Sequence, residues 1–401
     1  MNKILPLVLS CLLGFAGLQA QNASDIVVPI TVTTTASPAS ITLNFPATAN
    51  ATNTFVGRKL LNQTAWSFVQ LAPNATSFTD ANVIPGIGFE YMVVKQTSTA
   101  PTQRIGLVYA GIEVLATAYR GKMILVIDNA LSAPLSAELD RLVQDLRGDG
   151  WQVLRRDIDV SAHTVPTVKA LLRKLYDDDP DNTVSAFLIG NIPVPYSGNI
   201  NPDGHPDHLG AWPTDYYYGD MDESAWTDSL VNNNGASRPA NRNVPGDGKF
   251  DQSQTPTLPE LVVSRLDFSN LSGWDVSQTE LYRRYLNKNH NFRTGAYKPA
   301  NQTLVDDNFG YFGGEAFAQN GWRNGNAITG AGSIVQGDFF ADTDNQSFLI
   351  GYGCGGGNYT GASGVGSSAN FQTDSVNIVF SMLFGSYFGD WDYETNPFMP
   401  S

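Results

Sequence analysis

The chain has 401 residues, enough for two or three domains, and its 38 acidic and 24 basic residues give a net charge of −14. This acidic balance argues against nucleic acids and anionic membranes as partners, because both are bound through basic patches. Charged residues make up only 15% of the chain, so uncharged polar side chains must cover much of the surface, as is common in exported proteins.

Residues 1–20, MNKILPLVLSCLLGFAGLQA, place one Lys before an apolar run and small residues before a cleavage position after Ala20. This arrangement predicts a secretory signal peptide. A membrane anchor is the alternative, but the apolar run is too short to span a bilayer and no later segment approaches that length. We therefore expect a secreted or cell-surface protein with no membrane span. Its partner would be an extracellular protein or peptide, and the sequence does not specify an oligomeric state.

Residues 26–118 predict an all-β domain. Apolar and polar residues alternate over 41–45 and 89–93, and runs of Thr, Asn, Ala and Pro separate such short segments. This pattern predicts a small antiparallel sandwich. The stretch LAPNATSFTDANVIPGIGFEYMVVKQ (71–96) resembles a fibronectin type III domain, in which a Pro-Gly turn precedes a strand bearing Tyr. The resemblance implies a spacer or an adhesion surface rather than an activity.

From about residue 120 the predicted elements change to alternating strands and helices. KMILVID, WQVLRRDID and VSAFLIGNIPVPY predict buried strands, and SAELDRLVQDLRGDG and TVPTVKALLRKLYDDD predict the helices between them. After a loop-rich region, ELVVSRLDF, NQTLVDDNFG, QSFLIGYG and VNIVFSMLFGS predict further strands. The predicted fold class is therefore a multidomain chain: an all-β sandwich, then an α/β domain over 120–401 with a mostly parallel sheet and helices on both faces, and a sub-boundary near 298.

Three motifs in the second domain resemble those of the gingipain-type cysteine peptidases, whose catalytic domain is caspase-like. PTDYYYGDMD with PELVVSRLDF is similar to the family's Asp-x-x-Tyr-Gly segment and the strand after it. FLIGYGCGG is similar to the strand whose Gly-His-Gly end carries the catalytic histidine, and FSMLFGSYFGDWD to the strand that carries the nucleophilic cysteine. The resemblance implies an active site at the carboxyl ends of these strands. It also implies helices and further modules beyond Ser401, so we expect the domain to be incomplete.

The two positions that carry the family's reaction are substituted. Tyr352 stands where the resemblance requires histidine, and Ser386 stands where it requires cysteine. Tyrosine, with a pKa near 10, is a poor general base at neutral pH, and serine needs an adjacent base even more than cysteine does. We therefore expect that Tyr352 and Ser386 do not perform the family's reaction.

Cys354, the only cysteine outside the leader, offers an alternative nucleophile. It lies two residues beyond Tyr352, among glycines whose N–H groups could hold an oxyanion. It would still need a base, and the candidates are His205 and His208 in the long loop GHPDHLG. The other interpretation is an unreactive, partly buried thiol.

Acidic residues in the loop-rich region form a candidate calcium site, with Asp220 and Asp222 in one group and Asp247 and Asp251 in another. The segment NVPGDGKFD has the Asp-Gly-x-x-Asp spacing of calcium loops but lacks the full EF-hand pattern. Ca²⁺ is the only cofactor that the sequence indicates, and turn or capping acids are the alternative.

The function that we predict is that of a secreted or cell-surface, gingipain-like protein that is catalytically degenerate and acts as a binding or structural module. The alternative is an active cysteine-type peptidase or hydrolase that uses Cys354 with a loop histidine. A third interpretation is a purely structural, adhesin-like part of a larger protein.

Overall fold

The computed structural model describes residues 26–100, 102–114, 118–222, 225–310 and 315–399. The predicted signal peptide lies outside these residues. The chain forms two compact units that divide between Thr117 and Ala118. Within the described ranges, no helix has both the length and the apolar character that a membrane crossing needs.

The first unit consists of two antiparallel sheets. One has the strand order β1-β2-β5 and the other the order β4-β3-β6-β7. The strands are β1 (Thr31–Ala36), β2 (Ala39–Asn44), β3 (Ala51–Leu60), β4 (Ser67–Leu71), β5 (Ser77–Asp80), β6 (Gly88–Thr97) and β7 (Gln103–Gly111). Side chains from both sheets, among them Ile41, Leu43, Tyr91 and Val93, form one buried core. The alternation that predicted strands therefore marks the inward faces of a sandwich.

The second unit begins with a four-stranded parallel sheet in the order β13-β10-β8-β9. Its strands are β8 (Gly121–Asp128), β9 (Trp151–Ile158), β10 (Thr183–Ile189) and β13 (Val262–Leu266). β8 is buried on both faces: Ile124 and Val126 belong to one core, and Met123, Leu125 and Ile127 belong to the other. Helices cover both faces, which is why this strand is a continuous apolar run rather than an alternating one.

The helices around this first sheet are short or medium in length. They are α1 (Asn129–Ser132), α2 (Ser136–Gly148), α3 (Val165–Asp177), α4 (Tyr216–Gly219) and α5 (Gln278–Arg293). Leucines of α2 and α5 pack in the core with Met123, and Val168 and Leu172 of α3 pack in the core with Ile124. A small antiparallel pair, β11 (Tyr196–Ile200) and β12 (Gly210–Pro213), lies in the loop-rich region.

A second four-stranded parallel sheet follows in the order β15-β14-β16-β20. Its strands are β14 (Thr303–Asp307), β15 (Ile334–Gln336), β16 (Phe348–Cys354) and β20 (Ile378–Phe384). The helix α6 (Ala316–Thr329) connects β14 to β15, and α7 (Ser368–Thr373) precedes β20. Three two-residue strands, β17 (Gly357–Asn358), β18 (Gly361–Ala362) and β19 (Gly366–Ser367), form a small sheet after β16.

The predicted fold class is confirmed: an antiparallel sandwich precedes an α/β unit with parallel sheets and helices. The α/β strands are divided between two separate sheets, and the second sheet begins at Thr303. Every strand of both sheets runs in the same direction as its neighbours, so each sheet has a single edge where the carboxyl ends of its strands meet.

Candidate functional site

Tyr352 lies within β16, and its side chain is buried against helix α6. Its hydroxyl donates a 2.7 Å hydrogen bond to the carbonyl of Phe317. The helix passes directly over the ring, since a Cβ at Gly321 would lie 2.3 Å from Cδ1 of Tyr352. Burial raises the pKa of the phenol further above its usual value. Tyr352 therefore fills the core beneath α6 and is not available as a base.

Cys354 ends the same strand and has no solvent-exposed surface. Its apolar neighbours include Val305, Ala318 and Tyr352, and its Sγ lies 3.8 Å from Oδ1 of Asp307. Burial raises the pKa of the thiol to about 11, so the reactive thiolate is disfavoured at neutral pH. The structure places Cys354 in an enclosed, apolar environment beside a carboxylate, whereas reactive cysteines lie in accessible, electropositive ones.

Ser386 lies in the turn that follows β20 and is partly buried. Its backbone is in close contact with Gly357, where a Cβ would lie 2.2 Å from the carbonyl oxygen of Ser386. The next residue, Tyr387, has a φ of 67°, an uncommon left-handed conformation for a non-glycine residue. The ring of Tyr387 contacts both candidate histidines of the long loop.

His208 packs against this turn, with its ring stacked on that of Tyr387 at a centroid distance of 4.6 Å. His208 is buried, and its two ring nitrogens both face carboxylates: Nδ1 is 2.6 Å from Asp203 and Nε2 is 2.8 Å from Asp390. An ionised carboxylate can only accept a hydrogen bond, so both nitrogens must carry protons. His208 is thus held as an imidazolium and has no lone pair with which to accept a proton.

Opposing effects act on the protonation of this ring. Burial lowers the pKa of His208, but the hydrogen bonds to Asp390 and Asp203 outweigh it, and the net pKa is raised above its usual value. Burial raises the pKa of Asp203, but the hydrogen bonds from His208 and from the N–H of Tyr387 bring the net pKa below its usual value. Both net shifts favour the charged pair in the folded state.

We expect this pair to stabilise the folded state most strongly between about pH 4 and about pH 6.5. The raised pKa of His208 means that its contribution is complete below the unfolded value of about 6.5 and is lost as the pH rises through the folded value. The lowered pKa of Asp203 means that its contribution is complete above about 3.8 and is lost as the pH falls through the folded value. The loss is about 1.4 kcal/mol for each unit by which a pKa is shifted.

Urea unfolding curves across this pH range, for wild type and His208→Gln, would measure the effect. The alkaline loss should disappear in His208→Gln. It should persist in the matched variant His290→Gln, which removes a more exposed histidine paired with Asp145 at 2.8 Å. An alkaline loss of equal size in His208→Gln and wild type would contradict the assignment.

Asp390 connects His208 to a larger buried polar network. Its carboxylate also accepts a 2.8 Å hydrogen bond from the amide of Asn241 and lies 3.2 Å from the guanidinium of Arg238. Arg238 in turn contacts Asp392 at 3.1 Å, and Asp392 accepts a short hydrogen bond from the hydroxyl of Tyr196. The network joins the loop-rich region to the end of the chain, so its geometry is that of a structural clamp.

Asp215 and Arg265, from the two halves of the first resemblance motif, form an ion pair. Two guanidinium nitrogens donate to the carboxylate of Asp215, each at 2.8 Å. The same guanidinium donates to the carbonyl oxygens of Ile192 and Pro193 and lies over the ring of Trp391 at 5.1 Å. Arg265 therefore ties the carboxyl end of β13 to the loop that follows β10.

A cavity of about 100 Å³ lies beside this pair. It is lined by Asn191, Val194, Asp267, Ser269, Asn270, Trp391, Asp392 and Pro397. Burial raises the pKa of both Asp267 and Asp392. The volume suits a few water molecules or the tip of one side chain, well below the 300–1,000 Å³ or so of a typical small-molecule site.

Three of the four candidate calcium ligands, Asp220, Asp247 and Asp251, use their carboxylates in hydrogen bonds within the protein. Asp251 accepts hydrogen bonds from the N–H groups of Ser229, Leu230 and Val231. Asp247 accepts from the N–H of Val244 and of Lys249. The carboxylate of Asp220 accepts from Asp222 N–H, Trp226 Nε1 and Thr257 Oγ1.

Over the described parts of the chain, no three His, Cys, Asp or Glu side chains are grouped so that they could hold a metal ion. Glu223 and Ser224, next to Asp222, lie outside those parts. Calcium binding at these acids stays a prediction.

The structure thus brings His205, His208 and the turn containing Ser386 together, since the rings of His205 and Tyr387 stack at 4.9 Å. Tyr352 and Cys354 lie in a different environment, the core under α6. The role of Asp390 was not predicted, although the residue lies in the GDWD part of the third resemblance motif. No sequence signal identified Arg238 as its partner.

The comparisons with known proteins leave the family open. No protein-family model and no curated protein match the chain. The solved structures similar to it include the Arg-specific cysteine proteinase gingipain R, at 14% identity and a TM-score of 0.45, with 71% of this chain and 59% of that chain covered. They also include the complex of Porphyromonas gingivalis RgpB pro- and mature domains, at 15% identity and a TM-score of 0.44, with 70% and 59% covered.

A third similar structure, the fn3 domain of human collagen alpha-1(XX) chain, has 8% identity and a TM-score of 0.19, with 24% of this chain and 87% of that chain covered. The chain spans about three fifths of the length of the two gingipain structures.

Proposed function

We propose that the α/β unit is a gingipain-like domain that does not catalyse peptide hydrolysis and that acts as a binding or structural module. The observation that carries this proposal is the position of His208 between Asp203 and Asp390. A dyad needs an imidazole that can accept a proton from the nucleophile and return it. An imidazole that already bears both protons, beside the turn containing Ser386, cannot do so.

The environment of Cys354 supports the same proposal from a second direction. A working thiol must reach its substrate as a thiolate, and Cys354 combines complete burial with a pKa raised to about 11. Its polar neighbour is the carboxylate of Asp307, which disfavours a second negative charge at the sulfur.

The place of action that we propose is the cell surface or the extracellular medium, which the apolar leader and the composition support. The partner would be an extracellular protein or peptide. The sandwich would act as a spacer or a further contact surface, in keeping with its fibronectin-like stretch at 71–96.

Thiol labelling combined with peptide-library cleavage tests the proposal. We expect a thiol-reactive peptide probe to label Cys354 in the folded protein at least about 100-fold more slowly than in urea, because both burial and protonation protect the sulfur. We also expect wild type and Cys354→Ala to give identical, background cleavage of the library.

The matched control is Cys354→Ala labelled under the same conditions, which reports any reaction of Cys11. Rapid labelling or cleavage that is lost in Cys354→Ala would overturn the proposal in favour of an active cysteine hydrolase. Cleavage that is lost in Ser386→Ala would assign activity to the substituted dyad instead.

A further inference from the structure

Strand β20 forms one edge of the second sheet. In the described residues β16 is the strand that pairs with it, and the order β15-β14-β16-β20 leaves its other side open. The open strand is apolar, and the side chains of Phe380 and Met382 are 53% and 47% exposed. Native proteins usually protect such an edge with charges, prolines or a covering element, because its unpaired N–H and C=O groups can pair with another chain.

A groove of about 1000 Å³ runs between this edge and helix α5. We call it the strand groove. It is lined by Asp149, Tyr285, Lys288, Asn289, Asn291, Phe292, Arg293, Tyr297 and residues 375–380. Its size is at the upper end of the range for binding sites, and it borders a backbone edge along part of its length.

The lining of the strand groove offers apolar contacts and one unused polar group. The rings of Phe292 and Phe380 meet edge to face at 5.6 Å, and Tyr285 is 41% exposed. The hydroxyl oxygen of Tyr297 is shielded from solvent, yet it has no hydrogen-bond partner within the described portion of the chain. A buried hydroxyl without a partner costs free energy, which a bound acceptor or donor would recover.

The charge of the strand groove is opposite to that of the protein. Arg293 forms an ion pair with Asp149, which leaves Lys288 as the unbalanced basic group of the lining. Burial lowers the pKa of Lys288, and a carboxylate placed beside it would favour the charged ammonium form. No ion pair of Lys288 occurs in the ranges that the structure describes. In a chain of net charge −14, this local positive charge selects a ligand that carries a carboxylate.

We propose that the strand groove binds an extended, acidic peptide segment of a partner protein, which adds to the second sheet as a strand beside β20. Backbone hydrogen bonds to the open edge supply affinity, and alternate side chains supply specificity. Apolar side chains of the peptide pack on Phe380 and Phe292, and an Asp or Glu pairs with Lys288. A second copy of this chain is less favoured, because each copy carries a net charge of −14.

This proposal goes beyond the loss of catalysis and does not depend on it. The strand groove contains none of the residues that argue for a degenerate active site, namely Tyr352, Cys354, Ser386 and His208. Peptide hydrolysis by Cys354 would overturn the proposed function and leave the strand groove unaffected.

The experiment starts from a displayed library of strand-length peptides in which apolar residues alternate with Asp or Glu. Peptides that bind the full chain are selected from this library. The Kd of the enriched peptide is then measured by fluorescence anisotropy. We expect Phe380→Glu and Lys288→Glu each to weaken binding at least about tenfold, and N-methylation of alternate peptide amides to abolish it. Tyr297→Phe should change binding less, since it removes a single hydrogen bond.

The matched control is Val262→Glu, which places the same charge at a 73% exposed residue on β13, the edge strand of the other parallel sheet. Its Kd should stay within about twofold of wild type. Melting curves establish that each variant is folded. Any of three results would overturn the proposal. The library could yield no peptide that binds wild type better than Phe380→Glu, the N-methylated peptide could bind as well as the unmodified one, or Val262→Glu could weaken binding as much as Phe380→Glu. A dimer in sedimentation that Phe380→Glu dissociates would assign the edge to a second copy instead.

Discussion

We expect Asp390→Ala to lower the free energy of unfolding of the α/β unit by about 3–5 kcal/mol. The carboxylate is fully buried and accepts hydrogen bonds from His208 and Asn241, and it lies 3.2 Å from Arg238. Its removal leaves a buried imidazolium and a buried guanidinium without their shared counter-charge. Because a domain is typically stable by only about 5–15 kcal/mol, this single change should bring the unit close to unfolding.

Urea unfolding followed by tryptophan fluorescence measures this loss. Every tryptophan except Trp66 belongs to the second unit, so the signal reports mainly on the α/β unit. Asp390→Asn keeps the shape and one acceptor but removes the charge, so it should destabilise less than Asp390→Ala. It should also weaken the alkaline loss of stability, because His208 would no longer be held charged from both sides. Asp140→Ala removes a carboxylate that is 69% exposed and should cost at most about 1 kcal/mol. If Asp390→Ala lowered the free energy of unfolding no more than Asp140→Ala does, the structural role of the buried Asp390 network would be refuted.

Arg265→Met should produce a loss of similar size, about 3–5 kcal/mol. The substitution retains most of the apolar part of the side chain but removes the guanidinium that donates to both carboxylate oxygens of Asp215. The carbonyl oxygen of Ile192 also loses its donor, that of Pro193 keeps only the hydroxyl of Tyr218, and Trp391 loses the cation over its ring. The guanidinium side chain is only 6% exposed, so water cannot readily replace these contacts.

The same unfolding measurement tests this second prediction. Arg265→Lys should recover only part of the loss, because an ammonium group cannot donate to both oxygens of Asp215 and to two carbonyls in the same geometry. The matched control is Arg284→Met, at a side chain that is 57% exposed and pairs with Glu280 on the same helix. The control should cost less than about 1 kcal/mol. Full recovery of stability in Arg265→Lys would show that charge alone matters at this position.

The hydrophobic pattern of the sequence predicted most elements of the fold. Residues 89–93 alternate, and Phe89, Tyr91 and Val93 are buried in the sandwich core. The continuous run KMILVID predicted a strand covered on both faces, and β8 has a core on each side. These predictions succeed because burial of a strand or a helix depends on the period of its own apolar residues.

The candidate site was predictable only in part. The order of motifs indicated that the turn containing Ser386 lies at the end of a strand, and it follows β20. The same reasoning placed Cys354 at a strand end and left a reactive thiol and an unreactive, partly buried thiol as alternatives. Helix α6 covers Tyr352 and Cys354 because it approaches β16 closely at Gly321. The local sequence of β16 could not predict this contact.

The sequence by itself determined most elements of this protein and the acidic charge of the chain, and it predicted that Tyr352 and Ser386 replace a catalytic pair. Only the tertiary structure decided that both nitrogens of His208 are engaged, because Asp390 lies 182 residues further along the chain. It also decided that, among the described residues, β20 pairs with a neighbouring strand on one side only. The physical reason is the same in both cases. The spacing of apolar residues along an element predicts which of its side chains are buried, but the partner of a side chain depends on how distant segments pack together.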